Sequence, residues 1–395
     1  NTTPPAVVDI DLDTGAPELT VTAPADGACS GESTTIEFTA LDAHPGEVSA
    51  TLNSAHISSP HVVDEDGVYQ LIVTAVDACG LETGDERQFT VDRVDPELSV
   101  TGVAEDEIQP TGVVVEWTVT DDNLVASSAT LDGEAVGPSF AVTTVGSHLL
   151  ALAAEDCAGN TAEQDLPFET VLPHDGLGAT VIVTPAQVEP PETILASAGI
   201  ANLTDAPYTA MVLRLEIVDP LTGGVVDGFE TTADLQPRTD LDLDHVFATV
   251  GLHLGEYELA LTAAGSIYGS AFNTTLATVA FEVVDRTAPT VTLLAPGAGL
   301  VCESIQILVT ASDSASGVES VRVHIDGDPA GLPLAHVGDD VWTVDLAVEE
   351  GEHHLNVMAV DVAGNASDLT TVEIDLDLSP PVLTVASPAN GACLS

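Results

Sequence analysis

The chain ends by repeating its beginning. EIDLDLSPPVLTVASPANGACLS at the C-terminus aligns without a gap to DIDLDTGAPELTVTAPADGACSG near the N-terminus, a shift of 364 residues with 13 of 23 positions identical. Asp13 falls on Asp377, Pro17 on Pro381 and Cys29 on Cys393. Internal repetition constrains a fold before any residue chemistry does, because a repeated sequence unit is a repeated structural unit. TTPPAVVDIDLD likewise resembles TTVEIDLD, just before the C-terminal copy. Residues 1–13 therefore read as the closing strand of a preceding domain and residues 378–395 as the opening strand of a following one. The whole reads as a window on a longer tandem array.

Between the ends, strand follows strand. TTIEFTALD, YQLIVTAVD, VVVEWTVTDD, SIQILVTASD, SVRVHIDG and HLNVMAVD alternate or run apolar, and Gly, Pro, Asp and Asn bound them. Short β-branched runs between such turn residues predict an all-β chain of antiparallel sandwiches. Three segments share one layout. Each opens with an Asp-and-Pro junction (DTGAPELTV, DRVDPELSV, DRTAPTVTL), then runs a strand ending in acid at Asp42, at Asp121 and Asp122, and at Asp313. A Gly-led hairpin follows: DGVYQLIVTAVDACG, VGSHLLALAAEDCAGN, EGEHHLNVMAVDVAGN. These layouts place domains at about 14–94, 95–171 and 287–377. Residues 172–286 predict a longer, divergent sandwich, with DPLTGG as a hairpin turn.

The chain of 395 residues carries 64 acidic residues against 6 basic ones, a net charge of −58, and no lysine. Nucleic acid is excluded as a partner, since binding it needs basic side chains to displace counterions. Attraction to an anionic membrane is excluded on the same ground, and no apolar run is long enough to insert directly into one. With 45% hydrophobic residues, the chain is not an acidic disordered one. It is a folded protein with an acidic skin, whose self-repulsion calls for bound cations or high ionic strength.

DSASGVESVRVHIDG and GEHHLNVMAVDVAGNAS resemble bacterial immunoglobulin-like repeats of large secreted and cell-surface proteins, of adhesin or fibre type. In that family D-x-S-G-V-x-S-V-x-V-x-x-D-G and A-x-D-x-A-G-N recur. The resemblance covers the three matching domains, and residues 172–286 look more loosely like adhesion-related sandwiches. It implies an elongated tandem array of immunoglobulin-like antiparallel β-sandwiches, in an extracellular or cell-surface setting and without enzymatic activity.

Cys29 opens the early core strand of its domain and Cys79 follows the late strand, positions that approach each other in a sandwich. A Cys29–Cys79 disulfide would close about 50 residues and stabilise by about 4 kcal/mol. Cys157, Cys302 and Cys393 lack a partner within their own domains and read as buried free thiols or as halves of interchain bridges. No Cys/His zinc spacing occurs.

The carboxylates suggest calcium, which takes six to eight oxygen ligands. Asp11 and Asp13, repeated as Asp375 and Asp377, put two carboxylates on one side of a strand. Neighbouring loops supply Asp42 and Asp77 in the first domain, and Asp313 and Asp361 in the last. Calcium clamped at the junctions would stiffen the array. A salt-adapted solvated surface is the competing explanation, and no other cofactor is called for. His353–His354 reads as surface decoration. Sequons stand at Asn1, Asn202, Asn273 and Asn365, with Asn202 and Asn365 expected in exposed turns. No nucleophile elbow, P-loop or dinucleotide fingerprint is present.

The expected function is structural: a segment of an extracellular fibre or stalk. Its partners would be copies of itself, head-to-tail or lateral, or other cell-surface components. Sandwiches of ten-residue strands are about 40 Å long, so four span roughly 160 Å. The alternatives are an adhesin module, with residues 172–286 holding the ligand, and a non-catalytic arm of a secreted enzyme.

Overall fold

The computed structural model describes residues 6–384. Among these residues every regular element is a β-strand. The strands form eight sheets, which fall in four successive pairs along residues 18–91, 97–171, 177–283 and 290–376. No sheet draws strands from two pairs. Each pair encloses its own apolar core. Residues 6–17 and 378–384 form no strand, so the described parts of the predicted terminal strands pair with no sheet.

Alternation builds each core. In strand Gly67–Asp77, Leu71, Val73 and Ala75 are buried while Ile72 faces solvent. A period of two sends one set of side chains between the sheets and the other to water. The third core is the largest because its strands are the longest. Tyr208–Asp219, Gly224–Leu235, Gly255–Ile267 and Ser270–Val283 run 12 to 14 residues.

One feature of topology sets the direction of every domain. A short strand near the start of each pairs parallel with that domain's last strand: Cys29–Ser30 with Glu82–Val91, Ile108–Pro110 with Thr161–Val171, Gln187–Val188 with Ser270–Val283, and Gly299–Val301 with Thr370–Leu376. The other pairings between strands are antiparallel. The short strand therefore lies at the end of the domain from which the chain departs.

Each late hairpin strand is latched at its start. Two residues after Gly67, the Tyr69 hydroxyl donates to the Glu65 carbonyl (2.8 Å). At the same offset, Nε2 of His148 lies 3.2 Å from the Thr144 carbonyl, and Nε2 of His353 lies 2.8 Å from the Glu349 carbonyl. In the third domain the Tyr257 hydroxyl accepts from the His253 amide (3.0 Å). His353 thus serves the fold, while His354 is exposed beside Glu373.

Candidate metal-holding junctions between domains

At three junctions an aspartate stands four residues ahead of a proline: Asp13 and Pro17, Asp92 and Pro96, Asp285 and Pro289. In each case Oδ1 accepts the backbone amide two residues on, from Gly15, Val94 and Thr287 at 3.0–3.2 Å. That local bond bends the chain into the next domain. Asp377 repeats it with the Ser379 amide (3.0 Å).

A second aspartate waits on the following domain, at the end of the strand that faces the junction. Asp42 accepts from the His44 amide and Asp121 from the Asn123 amide, both at 2.7 Å. Oδ2 of Asp313 accepts three amides, from Ala315, Ser316 and Gly317. A third aspartate ends the late strand. Asp77 accepts from Cys79 and Leu81, Asp156 from Ala158 and Asn160, and Asp361 from Asn365. Strand ends that point toward the same junction deliver these carboxylates, and turn amides fix their orientation.

Three clusters result. Asp92, Asp121 and Asp156 converge at the junction of the first and second domains, and Asp285, Asp313 and Asp361 at that of the third and fourth. Ahead of the first domain, Asp13, Asp42 and His44 converge. In each set the candidate ligand atoms lie within 4.8 Å of one another. The position across from the departing aspartate varies. Oδ2 of Asp92 accepts from the Asn123 side chain (2.7 Å), Oδ2 of Asp285 from the Ser316 amide (3.0 Å), and Oδ2 of Asp13 lies 3.0 Å from His44 Nδ1. His44 also reaches Asp11 (2.7 Å). The two carboxylates raise its pKa above the ordinary histidine value, Asp11 contributing most. The Gly15 amide, and then His44, hold Asp13 below the usual carboxylate range.

No arginine neutralises the clusters. Arg87 pairs with Asp85, Arg93 with Asp66, Arg214 with Glu230 and Arg238 with Asp205. Arg286 bonds Gln187 and Arg322 bonds backbone carbonyls. Among the described residues two buried carboxylate oxygens, Oδ2 of Asp77 and Oδ1 of Asp313, have no hydrogen-bond donor. Carboxylates packed this closely repel unless a proton or a cation intervenes.

Residues 289–357 match the model of the bacterial Ig domain. Among solved structures the chain is similar to a tetra-tandem repeat in the extending region of a large adhesion protein, at 18% identity and TM-score 0.40, over 92% of this chain and 100% of that one. It is also similar to the N-terminal eight Ig domains of Down syndrome cell adhesion molecule (13%, TM-score 0.32, 92% and 49%) and to extracellular cadherin domains 3–6 of protocadherin gamma B2 (14%, TM-score 0.27, 92% and 100%). No curated protein matches the chain. Its fold is that of tandem Ig-like repeats.

The Ig-like topology overturns the expected Cys29–Cys79 bridge. Cys29 is bonded to Cys157, with 5.7 Å between the Cα atoms. The parallel pairing of Cys29 with Thr90 carries Cys29 to the departing end of the first domain, whereas Cys79 follows the late strand at the arriving end. Eleven residues of strand, about 35 Å, separate those ends. Cys157 ends the same strand of the second domain and so faces Cys29 across the junction. Cys157 is therefore neither free nor interchain. Cys79 and Cys302 are free, and they are exposed rather than buried. Cys393 lies outside the described residues.

Of the aspartates expected from the sequence, Asp13, Asp42, Asp313 and Asp361 belong to the clusters. Asp11 reaches one through His44. Asp77 occupies the place of Asp156 and Asp361 but lies outside the triad at its own junction. Asp375 and Asp377 are at the departing end of the fourth Ig-like domain, far from Asp361. His44, Asp92, Asp121, Asp156 and Asp285 are cluster members not among the expected ligands, although the repeated Asp-x-x-x-Pro spacing marks Asp92 and Asp285. Asn202 is not in an exposed turn. It is 2% exposed, and its side-chain amide donates to Ala206, Leu235 and Gln236. The half-buried Asn365 uses its amide on Asp285 and Asp361, leaving Asn273 as the exposed sequon among the described residues. Asn1 lies outside them.

Proposed function

We propose that this chain is a spacer segment of an extracellular stalk or fibre, whose Ig-like domains are held in line by divalent cations, calcium above all. The observation that carries the proposal is the make-up of the Asp285–Asp313–Asp361 cluster. One carboxylate comes from the preceding domain, two come from the following domain, and no positive side chain is among them. A hard cation there would hold two domains together through oxygen ligands. Asp285, Asp313 and Asp361 would hold it, with Asp313 Oδ1 the buried oxygen awaiting a partner. The disulfide supports an oxidising, extracellular setting. It also shows the same arrangement in covalent form, since it too crosses a junction.

The test is small-angle scattering and electron cryo-microscopy of the full chain in calcium and in chelator. In calcium the chain should be a rod approaching 160 Å, four domains of about 40 Å each. In chelator its mean length should fall and its spread widen. A chain equally extended and equally narrow in both conditions would overturn the role of the cation. A compact particle in both would overturn the stalk.

A further inference from the structure

The cluster ahead of the first domain differs from the other two by its histidine. The His44 imidazole lies between two carboxylates. Its Nε2 is 2.7 Å from Oδ2 of Asp11, and its Nδ1 is 3.0 Å from Oδ2 of Asp13. A neutral imidazole has a single N–H. Placed on the shorter contact, to Asp11, that hydrogen leaves the Nδ1 lone pair facing an ionised carboxylate. A carboxylate behind the ring is also the partner that orients a metal-bound histidine and raises its basicity. Nδ1 and the Asp13 oxygen are spaced for one small ion. Two ligands about 2.1 Å from zinc, at angles between a right angle and the tetrahedral one, lie roughly 3.0–3.4 Å apart.

An independent observation comes from Asp77. It is 5% exposed, and among the described residues its Oδ2 has no donor. The equivalent turns of the second and fourth domains give the direction of that oxygen. Oδ1 of Asp77 accepts the amides of Cys79 and Leu81, as Oδ1 of Asp156 accepts those of Ala158 and Asn160. The other oxygen of Asp156 and of Asp361 accepts the side-chain amide of the asparagine four residues on, Asn160 (2.6 Å) and Asn365 (2.8 Å). Each asparagine also donates to the backbone carbonyl of its junction's first aspartate, Asp92 or Asp285. Oδ2 therefore faces the junction. In the first domain Leu81 takes the asparagine's place, so Asp77 keeps the direction and loses the donor. The Ala78 amide donates to the His44 carbonyl (2.9 Å), and Pro45 pairs with Asp77 in the sheet. The turns that carry His44 and Asp77 are thus fastened side by side.

We infer that this junction binds a late first-row divalent cation, represented by zinc, through His44 Nδ1 and the carboxylates of Asp13, Asp42 and Asp77. The candidate atoms of Asp13, Asp42 and His44 already lie within 4.8 Å of one another, and Asp77 supplies the fourth ligand. One nitrogen and three oxygens make the four-coordinate set that zinc takes. Calcium takes six to eight oxygens, whereas imidazole suits zinc, copper and nickel. A second proton on the ring would relieve only the contact of Nδ1 with Asp13, leaving Asp42 and Asp77 without a partner. The inference rests on the reading of the junctions as cation sites and departs from it in the metal, since the two clusters of three aspartates offer oxygen alone.

The test is zinc titration of the full chain by calorimetry in excess calcium. Cys79→Ser, Cys302→Ser and Cys393→Ser remove competing thiols. One equivalent of zinc should bind, and imidazole NMR should show the shift at Nδ1 of His44. H44A should lose the equivalent. Asp11 is exposed, and Asp11→Asn leaves all four ligands in place; it should weaken zinc about 10- to 100-fold. Leu81→Asn gives Asp77 the donor that its counterparts have, and should weaken zinc as well. Zinc bound equally by H44A, a shift at another histidine, or no tight equivalent in the folded chain would overturn the inference. Displacement of zinc by calcium would also overturn it. H44A keeps both aspartate clusters, so its length in calcium and in chelator reads the stalk proposal separately.

Discussion

The junction of the second and third domains is built differently from that of the third and fourth. Where the latter gathers Asp285, Asp313 and Asp361, the former places Asn202, whose carbonyl accepts from Thr204 and whose amide serves three backbone carbonyls. The Tyr208 hydroxyl donates to the Pro173 carbonyl (2.6 Å), and burial pushes its pKa up to about 12, so it remains a donor. Asp205 accepts from the Ile108 amide (2.8 Å) and returns its own amide to the Ile108 carbonyl (2.8 Å). Arg238 grips the same carboxylate with two nitrogens and lowers its pKa. Tyr268 reaches across to Gln109 (3.1 Å). This junction supplies its own donors. An amide in place of a carboxylate brings both halves of a hydrogen bond, whereas a carboxylate only accepts. The difference separates a junction whose carboxylate meets an arginine and a backbone amide from one that gathers three carboxylates without a positive side chain.

The largest expected effect breaks the complete junction. A Cβ on Gly176 would overlap the Tyr208 hydroxyl and the Thr204 methyl. Gly176→Ala should therefore cost about 3 kcal/mol, the upper range of overpacking. Chemical denaturation followed by tyrosine fluorescence reads it, and calcium should not restore the loss. An unchanged midpoint would mean that the junction is loosely packed.

Next is a loss at the acidic junction that depends on calcium. In calcium at a hundredfold above its dissociation constant, a bound ion contributes about 2.7 kcal/mol. Asp361→Asn should forfeit most of that in calcium, yet be nearly neutral in chelator, where it relieves repulsion. Paired thermal melts check it. Equal losses in both conditions would make Asp361 a purely structural acceptor.

The smallest effect concerns the latch in the fourth domain. The Glu349 carbonyl, and then Asp326, raise the pKa of His353 above its ordinary value. A raised folded-state pKa means stabilisation that is fully present below the unfolded pKa, about 6.5. It is lost as pH rises through the folded pKa. The first domain has Tyr69 at this place, so its latch should not share that dependence. Hydrogen exchange near Glu349 between pH 5.5 and 8.5 should quicken with rising pH beyond the intrinsic rate, and His353→Phe should abolish the excess. A flat profile would remove the histidine from the latch.

Much of this molecule was legible without coordinates. Alternation in YQLIVTAVD and HLNVMAVD names the buried faces, because strand periodicity is local. The repeated Asp-x-Asp and the acids of the neighbouring loops name Asp13, Asp42, Asp313 and Asp361, because a repeat places equivalent residues at equivalent ends. The cysteines were misread for the opposite reason. Cys29 and Cys79 share a domain in sequence, yet the parallel pairing of Cys29 with Thr90 sends them to opposite ends. Asn202 looks like a surface sequon, but it is buried where a neighbouring turn needs its amide. Strands, repeat and excess charge depend on neighbours along the chain and are written in the residues alone. Which end of each domain a residue occupies is settled by folding, since it follows from strand pairings between residues dozens of positions apart.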